Sequence, residues 1–265
     1  MKKSIFKTLI LAGGLVASQA NANLITNGSF EDIPDSKVIF DNYKDSTRPT
    51  INSFNDYASL GAGNSWAVTE SLVGWSTFYG PGIETHFNGT LGDGFNAQNG
   101  NRYLELDAHF AYANPGDSNT GIFQQLSGLS IGQTYELSFW YRARTTKNDD
   151  NGLGIYWEAN KNSLNQNNMV MPRVDYNLKD QNNLAWTQYK KNLVATSSSM
   201  VIGFGGLGNL LFTSKSDPTG TNSMDNGNGK GALLDNVSLK SVSAPATFGL
   251  FGLAALGLML RRRKA

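Results

Sequence analysis

The sequence predicts an all-β protein, a β-sandwich with long loops, on three observations. Residues 135–144 alternate without a break: Tyr135, Leu137, Phe139, Tyr141 and Ala143 fall on one side, and Glu136, Ser138, Trp140, Arg142 and Arg144 on the other. That period of two is the mark of a strand with one buried face. The 3.6-residue apolar period of an amphipathic helix is nearly absent from the body of the chain. Finally, 29 glycines among many Asn, Ser and Thr, with only 7 prolines, supply the turn residues that a chain of many short strands needs.

At the N-terminus, Lys2, Lys3 and Lys7 precede an apolar stretch, Thr8 to Ala17, and Ala20-Asn21-Ala22 has small residues at the two positions a signal peptidase reads. This predicts a signal peptide over 1–22 and a mature chain from Asn23. Asn23 to Phe30 is expected to be the first strand, followed by an irregular polar loop over 34–65. Tyr103 to Asp107 alternates so as to bury Leu104 and Leu106, and 128–133 is a turn into the strand that starts near Tyr135. Further strands are expected at Gly154 to Glu158, Gln188 to Ala195, Met200 to Phe204 and Leu233 to Val242. The Asn-rich 160–183 and the Gly/Asn/Asp/Ser-rich 214–230 read as surface excursions on one domain, residues 23–241.

The C-terminus carries an uncharged run, Ala246 to Leu260, followed at once by Arg261-Arg262-Arg263-Lys264. Counted from Val242 the run has 19 residues, or about 28 Å of helix against the ~30 Å hydrocarbon layer. A single membrane helix within 242–265 is expected, its cations on the cytoplasmic side.

The formal charge of +1 misleads, because three of the 22 cations lie in the leader and four in the tail. The remaining 15 face all 21 acids, so the exported body carries about −6. An acidic body argues against nucleic acid as partner. The absence of cysteine excludes disulfides, thiolate catalysis and Cys-ligated zinc.

Few residues point to reaction chemistry, and the expectation is a non-catalytic protein. His86 and His109 are the two histidines, both in turn-like sequence, and Asp107-x-His109 is too small a set for a metal centre. There is no nucleophile elbow and no phosphate-binding loop. Two acids brought together in space could still hydrolyse a glycoside. A ligand face is the stronger candidate. Trp140, Arg142 and Arg144 leave the non-core side of their strand, Tyr103, Glu105 and Asp107 alternate in the same way, and so do Tyr156 and Glu158. Together they would make an aromatic and charged concave sheet of the kind that stacks on sugar rings and bonds their hydroxyls. The plainer alternative is that these are ordinary strand residues, with Arg142 and Glu105 a cross-strand ion pair and Trp75, Trp157 and Trp186 in the core or at its rim.

Two families are resembled. The tail, Ala244-Pro245-Ala246-Thr247 followed by the apolar run and Arg261, Arg262 and Arg263, resembles a PEP-CTERM sorting signal, with Ser243-Ala244-Pro245 where Pro-Glu-Pro is the rule. The resemblance implies sorting by an exosortase-like enzyme at the membrane. The body resembles the galactose-binding-like jelly rolls of carbohydrate-binding modules and adhesins. The matching motifs are Asn27-Gly28-Ser29-Phe30-Glu31, Gly100 to Asp107, Ile122 to Gln125 with Gly132 to Phe139, and Leu234 to Leu239. This resemblance implies a jelly-roll β-sandwich, and a structural calcium with Glu31 and Asp235 as its carboxylates; otherwise Glu31 is a solvated strand-end acid and Asp235 a turn residue. The function expected from both is an exported protein of the cell surface or extracellular matrix, binding polysaccharide or adhesive. A structural or protein-interaction role without glycan and a glycan-active hydrolase are the alternatives.

Overall fold

The computed structural model describes residues 22–33, 38–41, 66–80, 82–92, 94–108, 119–146, 151–165, 168–170, 184–207 and 230–242. Apart from Ala22 these belong to one compact unit, Asn23–Val242. The expected leader before Ala22, the tail beyond Val242 with Pro245 and Arg261 to Arg263, and His109 lie outside the described residues. Among the described residues no helix is long and apolar enough to cross a membrane.

The strands are β1 (Val38–Asp41), β2 (Trp66–Thr69), β3 (Ser71–Leu72), β4 (Trp75–Tyr79), β5 (Ile83–Phe87), β6 (Arg102–Glu105), β7 (Gly121–Ser127), β8 (Thr134–Arg142), β9 (Leu153–Glu158), β10 (Thr187–Val194), β11 (Ser199–Gly206) and β12 (Leu233–Ser241). They pair antiparallel in two sheets, one in the order β1-β2-β5-β6-β12-β8-β10 and the other β3-β4-β7-β11-β9. From β6 to β12 every connection crosses from one sheet to the other, the winding of a jelly-roll sandwich.

The core lies between the sheets, and β8 shows why the alternation was decisive. Tyr135, Leu137, Phe139, Tyr141 and Ala143 all enter it, together with Leu104, Leu106, Leu234, Val237 and Leu239 from neighbouring strands. The opposite sheet contributes Trp75, Ile122, Ile155, Trp157, Ile202 and Phe204. The rings of Phe139 and Phe204 meet edge to face across the interface, 5.3 Å apart. Each such side chain contributes about 1.5–3 kcal/mol by leaving water.

Two expectations need correcting. Asn23 to Phe30 forms no strand: Asn27 and Phe30 have positive φ, 51° and 58°, which bends the backbone out of the extended region. Side chains hold the segment instead. The Gln124 amide donates to Thr26 O and accepts from Thr26 N at 2.9 and 2.8 Å, and Asn23 Oδ1 accepts from Leu239 N. Within the expected loop 34–65, β1 pairs with β2 at the end of the larger sheet.

A bulge in β12 positions the first functional candidate. Asp235 pairs with Trp140 and Ser238 with Ser138, so β12 carries one extra residue, accommodated by Asn236 at φ 48°. Val237 N then donates to Gly28 O at 2.8 Å. A Cβ on Gly28 would collide with the Val237 carbonyl, so only glycine lets the N-terminal segment dock there.

Candidate functional site

The candidate site is built on the outer face of the seven-stranded sheet, the side turned away from the core. Ile83 and Phe87 of β5 enter the core, so Glu84 and His86 between them face outward. On β6, Leu104 takes the core and Tyr103 and Glu105 face outward beside them. The register pairs Trp66 with His86, His86 with Tyr103, and Glu84 with Glu105.

Two rows of side chains result. In the first, the imidazole of His86 lies between the Trp66 ring (6.3 Å, 29°) and the Tyr103 ring (5.4 Å, 9°). Trp186 meets the Tyr103 ring edge-on at 5.9 Å and donates its Nε1 hydrogen to Asn96 O at 2.7 Å. In the second row, His86 Nε2 stands 2.7 Å from Glu84 Oε1 and 2.9 Å from Glu105 Oε2. Glu105 Oε1 accepts from Gly231 N at 2.6 Å and pairs with Arg144 Nη1.

Burial shapes the electrostatics. Glu84 and His86 are each 1% exposed and Glu105 is 0% exposed. Burial by itself pulls the His86 pKa down, but its close contacts with Glu105 and Glu84 and their charges outweigh this and raise it. For Glu105 burial pushes the carboxyl upward, yet His86 and Arg144 hold it below the ordinary range. The Tyr103 hydroxyl is raised, first by burial and then by the charge of Glu105. Burial lowers Arg142.

The structure brings Tyr103, Glu105, Arg142 and Arg144 to this one face, with Asp107 just past the end of β6 accepting from Lys230 N at 3.2 Å. It changes their setting, however. Tyr103, Glu105 and Asp107 are buried instead of lining an open concave sheet. Arg144, not Arg142, pairs with Glu105. Arg142 lies 3.9 Å over the Phe95 ring and donates to Gly94 O at 2.7 Å. Trp140 is half-buried on the same face, one step along, opposite Asp235. Tyr156 is not part of the group. It sits on β9 in the other sheet, fully buried, with its ring 5.3 Å from Phe78 and its hydroxyl pushed by burial up to about 12.

An open cleft of about 420 Å³ adjoins the Arg144 end of this face, lined by Thr90, Leu91, Phe95, Arg144, Thr145, Leu184 and Lys230. It combines apolar surface with two cations and two hydroxyls. Sequence reading found only Arg144 among these, and it missed Glu84 and His86. The signal for β5 was present in Ile83-Glu84-Thr85-His86-Phe87, which alternates, but Gly80-Pro81-Gly82 and Asn88-Gly89 on either side made it look like a turn.

Glu31 and Asp235 converge elsewhere, on the turn before β6. Glu31 Oε1 accepts from Asn101 N and Arg102 N, and Glu31 Oε2 lies 3.3 Å from Arg102 Nη1. Asp235 Oδ2 accepts from Gln98 N and Asn99 N, and its Oδ1 from Asn236 N. Burial, partly offset by these backbone bonds, pushes the Asp235 carboxyl up to about 7.

No protein-family model matches the chain. No curated protein matches it either. Solved structures do. One is TmCBM61 in complex with β-1,4-galactotriose: 14% identity, TM-score 0.37, covering 83% of this chain and 99% of that one. Another is the K1 cleaved adhesin domain of Lys-gingipain from Porphyromonas gingivalis: 12% identity, TM-score 0.37, covering 65% and 92%. A third is the enzymatically active domain of tailspike protein 4 of bacteriophage CBA120: 12% identity, TM-score 0.38, covering 83% of this chain but only 21% of the tailspike chain.

Proposed function

We propose that this chain is an exported, non-catalytic module of the cell surface or extracellular matrix that binds a glycan in the cleft at the Arg144 end of the seven-stranded sheet. One observation carries the reading. Phe95 and Leu91 offer apolar surface beside Arg144, Lys230, Thr90 and Thr145 in an open cleft of about 420 Å³. Sugar recognition needs this pairing of an apolar platform with fixed polar donors. Arg142 over one side of Phe95 braces that ring. In this reading a PEP-CTERM-like tail, Pro245 with Arg261 to Arg263, sorts the protein through an exosortase-like membrane enzyme.

The test is a glycan array probed with the full chain, repeated with Phe95→Ala and Trp140→Ala. Binding that Phe95→Ala abolishes supports the cleft. A folded chain that binds no polysaccharide leaves the structural or protein-interaction role. The hydrolase alternative requires Glu105 or Asp107 to reach substrate, and their burial weighs against it. Measurable turnover that disappears in Glu105→Gln would revive it.

A structural calcium at Glu31 and Asp235 belongs to the same proposal. Two carboxylates converge on one turn, and Asp235 is buried with its carboxyl raised toward 7 by loss of water. A cation would relieve that cost. Ca²⁺ takes six to eight oxygens, so backbone carbonyls must supply most of them, and the N–H groups now bonded to both acids must yield part of their share.

A further inference from the structure

We propose that Glu84, His86 and Glu105 form a buried site for one divalent transition-metal ion, separate from both the glycan cleft and the Glu31–Asp235 pair. Three potential ligand atoms, His86 Nε2, Glu84 Oε1 and Glu105 Oε2, all lie within 4.8 Å of one another.

The hydrogens at this cluster do not suffice for its acceptors. A single ring nitrogen carries at most one hydrogen, yet His86 Nε2 faces one carboxylate oxygen at 2.7 Å and another at 2.9 Å. The shortfall falls on Glu105 Oε2, which is wholly buried and faces His86 Nε2 at 2.9 Å as a contact of charge, with no well-aligned hydrogen reaching it from a described residue. A buried carboxylate oxygen that faces a positive group without a well-aligned hydrogen recovers only part of its lost hydration. Its sister oxygen is fully engaged by Arg144 and the Gly231 N–H, so the side chain is held with Oε2 aimed at the nitrogen.

A six-coordinate ion with bonds of ~2.1 Å sets neighbouring ligands ~3.0 Å apart and opposite ligands ~4.2 Å apart. Placing the histidine nitrogen next to both oxygens fits the observed 2.7 and 2.9 Å after an opening of a few tenths of an ångström, and the 4.8 Å bound on the three atoms leaves room for the oxygens to stand opposite each other. The donor set of one imidazole and two carboxylates suits Mn²⁺ or Fe²⁺ in this six-coordinate arrangement, and Zn²⁺ in a tetrahedral one with a fourth ligand; it offers no sulfur for soft ions.

The β5–β6 register sets Glu84 opposite Glu105, and the Trp66 and Tyr103 rings clamp both faces of the imidazole. A bound ion would turn two opposed acids into a bridge between β5 and β6 beneath the aromatic row.

The test uses the full chain stripped with chelator and then titrated with Mn²⁺ or Zn²⁺. We expect one equivalent bound, a rise in melting temperature, and Mn²⁺ broadening of the ring resonances of His86, one of only two histidines. His86→Gln and Glu84→Gln should each weaken binding at least tenfold. Should either variant fail to fold, the broadening in the unmodified chain decides the matter. The proposal is overturned by absence of stoichiometric binding, or by binding that His86→Gln leaves unchanged, which would put the ion at Glu31 and Asp235. It is also overturned if His86 keeps both ring nitrogens protonated with Mn²⁺ or Zn²⁺ in excess, since a proton then bridges the two acids.

Discussion

Glu31 and Asp235, from opposite ends of the chain, bind the two halves of one turn. Glu31 Oε1 takes the backbone N–H groups of Asn101 and Arg102 at 2.7 and 2.8 Å, and Asp235 Oδ2 those of Gln98 and Asn99 at 2.7 and 2.9 Å. The turn leads into β6, which carries Tyr103 and Glu105. Glu31 and Asp235 therefore fix the turn that positions the site face.

Gly100, at the centre of that turn, has φ +80°, and a Cβ there would run into Glu31 Oε1. Gly100→Ala should cost about 2–4 kcal/mol, combining the left-handed backbone with a weakened carboxylate bond. Urea denaturation checks this; a loss under about 0.5 kcal/mol would mean that the turn does not depend on Glu31.

The pH dependence has a definite sign. The Asp235 carboxyl rises in the folded chain from 3.8 to about 7, so between these values the native state holds more protons than the unfolded one. The Asp235 contribution is complete below pH 3.8 and is lost as pH climbs to about 7. In EDTA, unfolding midpoints should fall with rising pH across this window, and in Asp235→Asn the decline below pH 6.5, where His86 does not yet contribute, should be reduced.

Calcium should reverse that trend. An ion at Glu31 and Asp235 favours the ionised carboxylate, so with millimolar Ca²⁺ the melting temperature at pH 7.5 should exceed that in EDTA, by an amount that grows with Ca²⁺ concentration. An identical melting temperature in both buffers would remove calcium from the proposal.

Phe204 is wholly buried between Trp75 and Phe139, with ring centroids at 6.1 and 5.3 Å. Phe204→Ala should destabilise the sandwich by about 3–5 kcal/mol without changing ligand affinity in the chain that remains folded. Calorimetry and a binding isotherm separate the two effects.

Phe95 carries the guanidinium of Arg142 at 3.9 Å from its ring centroid. Phe95→Ala should cost only about 1–2 kcal/mol of stability while reducing glycan binding at least tenfold. Equal affinity in the variant would move the ligand away from this cleft.

Parts of this protein were legible because they obey a single period. The alternation of 135–144 assigned the core and outer sides of β8, and Leu104 and Leu106 fell to the core in the same way; Leu234 and Leu239 both enter it only because the β12 bulge shifts the period between them. Where both sides of a strand are buried the alternation loses its contrast. On β5, Ile83 and Phe87 enter the core while Glu84 and His86 are enclosed on the outer side, so its short alternation, set between Gly80-Pro81-Gly82 and Asn88-Gly89, gave no sign that the polar side is buried. The N-terminal segment failed for another reason: its extended look hid two residues with positive φ, held by the side chains of Gln124 and Asn23 and by single backbone bonds to Leu239 and Val237 instead of by a continuous ladder.

By itself, the sequence determined an all-β body, its most regular strands and the residues with a polar side to spare, because side-chain alternation is a local property of the chain. Which polar residues meet was decided only in three dimensions. Glu84 and His86 reach Glu105 because β5 and β6 pair in one register, and Arg144 reaches Glu105 because only β12 separates β6 from β8. Register and sheet order depend on how the two apolar faces close against each other, and no short stretch of residues encodes that closure.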